Sequence, residues 1–220
     1  MKKNDLRVLR NSAAIKKAFL HLLQEKPYDD ISVIDITNRA DMARGTFYRH
    51  YESKQACLEE MFCDAFADCI DYSSVPALRE LRDKNEPAPL GNPVVETLYI
   101  EEVKKCRTHR PIFQAAFSHL DYHNLTMLAM PIYEESYFKI HKELHLITAD
   151  PDVCRMFSQA WAASLLSTLH VITNLPEVDH LPVEKLIYYN RLWYYDVAMN
   201  GGFPNKDTGK LLEENLKEIL

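Results

Sequence analysis

Residues 39–54 read RADMARGTFYRHYESK. Basic and aromatic side chains interleave here around one glycine, in a chain whose isoelectric point is 5.8. Helical spacing divides the segment. Phe47 and Tyr51 lie four apart, share one face and point to a core. Arg44, Gly45, Tyr48 and Arg49 are left on or near the outer faces. A second short helix precedes this one and begins near Ser32. Ser32 and Asp35 stand three apart as in a capping box, with Asp in the place of Glu or Gln. Val33, Ile36 and Ala40 form its inner face. Only Asp41-Met42-Ala43 separates the two helices. Two short helices joined by such a turn make the helix-turn-helix pattern, which lays its second helix in the DNA major groove.

The residue types fit that use. Arg44 is long enough to reach a base edge, and Arg to guanine is the commonest specific contact. Gly45 has no side chain, so its helix can come close to the groove wall. Thr46, Tyr48 and His50 can donate to phosphate oxygens. Lys54 falls in the first turn of the next helix, where a cation opposes the helix dipole. A phosphate docked at that helix start would account for it, since helix N-termini bind anions.

Outward from this segment the pattern stays helical. Ile15, Ala18, Phe19, Leu22 and Leu23 give residues 6–25 one apolar stripe, with Pro27 just past its end. Ser53 caps a longer fourth helix whose stripe is Leu58, Met61, Phe62, Ala65, Phe66, Cys69 and Ile70. Residues 73–93 hold Pro76, Pro87, Pro89, Gly91 and Pro93 and read as a linker with one short helical turn over 77–82. Further helices are expected near 94–107, 111–120, 124–146, 152–173, 183–199 and 207–220. Pro131 should kink or split the third of these.

With 47% hydrophobic and 26% charged residues, the composition is that of an ordinary globular protein. Only five glycines occur, and good helix formers dominate the periodic segments. The lysines at the N-terminus have no apolar run behind them, so no signal peptide is expected. No stretch approaches the roughly 18 apolar residues of a membrane span. The five cysteines include no close metal-type pair, which fits a reducing cytoplasm. Charge is uneven. Residues 1–55 hold eleven Lys and Arg against seven Asp and Glu, while the remainder holds fifteen against twenty-five. A basic head on an acidic body suits a polyanion at the head.

The stretch ISVIDITNRADMARGTFYRHYESKQACLEEMF, residues 31–62, resembles the N-terminal DNA-binding domain of the TetR/AcrR family of one-component transcription regulators. GTFYRHYESK, residues 45–54, carries most of the likeness, which extends over roughly the first 66 residues. The resemblance implies DNA contacts at Thr46, Tyr48, His50 and Lys54, the last three mainly on phosphates. It implies base reading at Arg44 and Gly45 and core packing at Phe47 and Tyr51. Two residues depart from the family's pattern. Asp41 stands where Gly is usual, and Asp tolerates the left-handed conformation that the turn needs. Ala43 stands where Ser or Thr is usual, and Ala is a poor N-cap.

For the body, the resemblance is architectural and implies a ligand pocket and helices that pair across a twofold axis. Ala160, Ala162, Ala163, Ser164 and Ser167 permit close helix approach. Tyr188, Tyr189, Trp193, Tyr194 and Tyr195 suit an interface. Tyr99, Phe113, Phe117, Tyr122, Tyr133, Tyr137 and Trp161 are core or pocket residues, and Glu134 or Glu135 would favour a cationic ligand if turned inward. His119 with His123, and His141 with His145, stand four apart as zinc-binding pairs do. Lys142 occupies the place of a zinc protease's Glu, so that signature is absent. Cys57, Cys63 and Cys69 lie on a buried or partly buried stripe, which argues against thiol sensing.

These readings predict an all-α protein with a helix-turn-helix domain over 1–52, a connecting helix over 53–72, a linker over 73–93 and a helical effector-binding and dimerisation domain over 94–220. The expected function is a cytoplasmic, homodimeric, ligand-responsive repressor that is not an enzyme. It binds a palindromic operator through Arg44, Gly45, Thr46, Tyr48, Arg49, His50 and Lys54, with a small-molecule effector and without metal or cofactor. The alternative is a ligand- or metal-binding module that acts through a protein partner without DNA, motivated by Ala43.

Overall fold

The computed structural model describes residues 3–71, 76–84, 93–143 and 151–174. The helices expected over 183–199 and 207–220, and His145, lie outside the described residues. Every described element is helical. The order is α1 (Lys3–Glu25), a 3-10 turn (Tyr28–Asp30), α2 (Val33–Arg39), α3 (Arg44–Tyr48), α4 (Lys54–Cys69), α5 (Pro76–Lys84), α6 (Pro93–Thr108), α7 (Arg110–His119), α8 (Tyr122–Glu143) and α9 (Pro151–Asn174).

The apolar stripes read from the sequence become one core. Ile15, Phe19, Ile36 and Phe47 bury fully in the front, with Ile31 and Tyr51 close behind. Val33 and Ala40 pack partly buried against them. The α4 stripe from Cys57 to Ile70 is buried along its whole length. The same cluster continues into the body through Cys106, Phe113, Leu125, Leu166 and Leu169. Helix α4 is the shared wall. Phe62 stacks on Phe66 at 5.8 Å and meets Phe113 of α7 edge-on at 5.9 Å. At that wall Glu59 accepts from Asn124 of α8 at 3.1 Å, and Asp68 meets His109 Nε2 at 2.8 Å. The head and the body are therefore one packed unit across α4.

Three local expectations change. The helical turn inside 73–93 is a nine-residue helix, α5, opened by Pro76 at a position where its missing N–H costs nothing. Helix α8 is not split and runs on through Pro131. Pro131 and Met127, whose carbonyl loses its donor, are both exposed, so water can take the vacant acceptor. His119 and His123 do not share a helix. Helix α7 ends at His119, Leu120 is extended, and Asp121 accepts from the Asn124 N–H at 2.8 Å to start α8. Among the described residues no group of three or more His, Cys, Asp or Glu could hold a metal ion.

Other body residues sort plainly. Phe113 is core, Tyr122 is exposed, and Phe117 tilts against His170 at 5.0 Å. Ala162 is buried within its own chain and so is closed to a second copy, whereas Ser167 is exposed. Glu134 pairs with Arg155 at 3.3 Å, and Glu135 is exposed. Burial pushes the Cys57 thiol up to about 12 and the Cys63 thiol to about 11, so neither supplies thiolate near neutrality. No described helix is long and apolar enough to cross a membrane.

Candidate nucleic-acid interface

Helix α2 is fixed at both ends. The Ser32 hydroxyl accepts from the Asp35 N–H at 3.1 Å, and the Asp35 carboxylate accepts from the Ser32 N–H at 2.8 Å. This reciprocal capping box satisfies two otherwise unpaired donors. The Ser32 bonds, with Lys26 at 3.2 Å, hold the Asp35 carboxyl down at about 2. At the other end the Met42 N–H donates to the Thr37 carbonyl at 2.9 Å, and the Asp41 N–H to that of Asn38 at 3.2 Å. Those bonds form a Schellman closure, and Asp41 takes the left-handed position with φ 51°. The expectation that Asp would sustain this turn in place of Gly is met.

Helix α3 begins differently. Ala43 is extended and offers no side-chain cap. The helix also ends sooner than Tyr51. The N–H groups of His50 and Tyr51 both converge on the Phe47 carbonyl, each at 2.9 Å, which closes the helix at Tyr48. Tertiary contacts hold it instead of caps. Phe47 is fully buried. Tyr51 is buried beyond the helix end, where its hydroxyl donates to Glu60 at 3.1 Å and shares a 2.7 Å bond with Ser12. Lys16 closes the cluster with bonds to Glu60 at 3.0 Å and to Asp64. Burial raises the Tyr51 phenol well above its ordinary range, so it stays a donor. Burial lowers Lys16, but the bonds to Asp64 and Glu60 outweigh it and carry the ammonium upward.

The outer face of α3 and the two residues after it carry the expected side chains. Arg44, Gly45, Tyr48 and Arg49 are exposed, and Thr46 and His50 are half-buried beside them. Arg44 donates to the Tyr48 hydroxyl at 3.2 Å, with its guanidinium 5.3 Å from the ring centroid. Arg49 donates to Thr46 at 2.8 Å. These spacings of four and three lay both pairs along the helix surface. Among the described residues no carboxylate pairs with either guanidinium, so both charges remain open to an anion. Gly45 is informative for a different reason. A Cβ built there would meet nothing within 4 Å. Glycine inside a helix costs about 1 kcal/mol against alanine. Among the described residues no internal contact requires a glycine there.

Lys54 stands apart from this face. Its ammonium donates to the Tyr28 and Ile31 carbonyls, each at 2.7 Å, and lies 3.7 Å from the Tyr28 ring centroid. Burial lowers its pKa, and Asp29 and Asp30 act against that. The carbonyls alone account for a cation at the start of α4, and no phosphate is needed to explain it. An ammonium has three donors, so one N–H is left. Sequence spacing missed Tyr28, Ser12 and Glu60, whose partners are far along the chain. The visible signal in this region was local, in Ser32, Asp35 and Asp41.

Comparison with known proteins converges on the same region. Residues 15–61 match the model of bacterial regulatory proteins, tetR family. An uncharacterized HTH-type transcriptional regulator of Bacillus subtilis (strain 168), YxbF, is 40% identical over 75 residues, 34% of this chain and 20% of that protein. The HTH-type dhaKLM operon transcriptional activator DhaS of Lactococcus lactis subsp. lactis (strain IL1403) is 38% identical over 60 residues, 27% of this chain and 32% of that protein. The match thus spans a third or less of either relative. A solved structure named as the dihydroxyacetone kinase operon activator DhaS superposes with a TM-score of 0.53 at 19% identity. It covers 89% of this chain and 98% of its own, a likeness of fold.

Proposed function

We propose that this chain, whose residues 15–61 match the model of bacterial regulatory proteins, tetR family, is a cytoplasmic, homodimeric transcription regulator that represses by binding an operator. The observation that carries this is the surface of α3. Two unneutralised guanidiniums flank a glycine that no contact among the described residues requires. A major groove supplies both the anions and the close approach. In this reading Arg44 reads a base edge. Thr46, Tyr48, Arg49 and His50 hold the backbone, and Lys54 adds its remaining N–H to a phosphate. Two copies place their α3 helices about 34–36 Å apart on adjacent half-sites. A small-molecule effector in the body releases DNA if it favours a geometry with a different spacing. The chain acts by binding, with no chemical step of its own.

The test is binding of the full chain to the DNA upstream of its own gene at two salt concentrations. Phosphate contacts release counterions, so affinity should fall steeply with salt, with a log–log slope of about −0.9 per phosphate met. Absence of binding at low salt, with or without candidate effectors, overturns the reading in favour of a regulator that works through a protein partner.

A further inference from the structure

Tyr28 closes the turn between α1 and α2, and contacts from two distant elements meet on it. From the start of α4, Lys54 places its ammonium 3.7 Å from the ring centroid and donates to the Tyr28 carbonyl. From the last turn of α7, in the body, the His119 imidazole stacks on the same ring at 4.2 Å, with 26° between the planes. Phe19 of α1 supports the ring from further off, at 6.1 Å. The His119 side chain is 26% exposed, so the stack is largely shielded from water. Asp29 lies 3.6 Å from its Nδ1, but that carboxylate is 79% exposed and adds little.

We propose that His119 is a positioning residue for DNA binding: by stacking on Tyr28 it holds the ring and carbonyl that orient the Lys54 ammonium. The inference rests on the reading that Lys54 meets a phosphate. Two of the three ammonium donors are committed to the Tyr28 and Ile31 carbonyls, so the direction of the third follows from where that turn sits. The turn in turn bears on α7 through the stack. A body helix thus reaches a DNA-gripping side chain through one aromatic ring. A displacement of α7 would be felt at Lys54 without any movement of α3.

The test uses the full chain and its upstream DNA as a duplex, with His119→Ala, His119→Phe, Lys54→Ala and the double variant His119→Ala/Lys54→Ala. His119→Ala should weaken binding about threefold to tenfold, as coupled neighbours do. His119→Phe keeps the stacking surface and should restore most of the affinity. The double variant should bind no worse than Lys54→Ala alone, since no ammonium is left to orient. Unchanged affinity of a folded His119→Ala overturns the inference, and so does a loss that adds in full to that of Lys54→Ala. A second readout needs no DNA. The Tyr28 ring current should shift the Lys54 ε-methylene protons upfield in the free protein, and His119→Ala should reduce that shift. No change in it overturns the inference alone, whereas failure of the wild-type chain to bind DNA overturns the reading beneath it.

Discussion

The two helices of the helix-turn-helix start in opposite ways. Helix α2 has a complete capping box at Ser32 and Asp35 and a Schellman closure at Asp41. Helix α3, whose outer face is the proposed DNA surface, has no side-chain cap at Ala43 and a glycine in its first turn. Local hydrogen bonds close the first helix at both ends, in addition to the burial of Ile36. Burial of Phe47 and Tyr51, on either side of the helix end, holds the second. Helix α2 has its end groups satisfied locally, while α3 leaves its first turn without a side-chain cap.

Removing the anchor of α3 should have the largest effect. Phe47→Ala deletes a fully buried ring, and such truncations cost about 3–5 kcal/mol. Denaturant unfolding should show that loss. If it does not, tertiary packing is not what holds α3. The caps come next. Ser32→Ala should destabilise by about 1 kcal/mol, and Ala43→Ser should stabilise by up to about the same amount. If Ala43→Ser gave nothing, the start of α3 would already be satisfied by means other than a side chain.

Gly45→Ala separates folding from function more finely. The added methyl meets nothing in the free protein, so stability should rise by up to about 1 kcal/mol. The same methyl should weaken DNA binding, and tighter binding would remove the argument that Gly45 serves a close approach. The smallest effect is in pH. Asp35 is held down to about 2 in the folded chain, against 3.8 ordinarily. Its folded value lies below its unfolded one. Its contribution is therefore complete above roughly pH 4 and is lost as pH falls towards 2. Asp35→Asn should flatten that part of the acid stability profile and lower stability above it, so that the variant and the wild type converge as pH falls towards 2.

What the sequence made legible was local. Ser32 and Asp35 are three apart, Phe47 and Tyr51 four apart, and Asp41 is one of the few residue types that sustain a left-handed turn. The cap and the turn are decided by neighbours within one helical turn and stand in the fold as read, whereas Phe47 and Tyr51 are both buried although the helix read to Tyr51 ends at Tyr48. The contacts of Lys54 come from 26 and 23 residues away, and those of Tyr51 from Ser12, 39 residues away. No periodicity reports such pairings, because they depend on how helices cross. The His119 and His123 spacing misled for a related reason. A repeat of four implies one face only if the helix continues, and the helices expected over 111–120 and 124–146 already placed a break between the two histidines. Asp121 starts α8 by accepting from Asn124. Pro131 misled in the other direction, since an exposed site let the helix pass.

The most direct test of the central claim, that the outer face of α3 reads DNA, is a specificity measurement on Arg44→Ala. The wild-type chain and the variant are titrated with the upstream duplex and with a scrambled duplex of the same length, at one fixed salt concentration. The account predicts that the wild type prefers the upstream duplex and that Arg44→Ala loses about 1–3 kcal/mol of that preference while still binding both duplexes. A variant that discriminates between them as well as the wild type would contradict it.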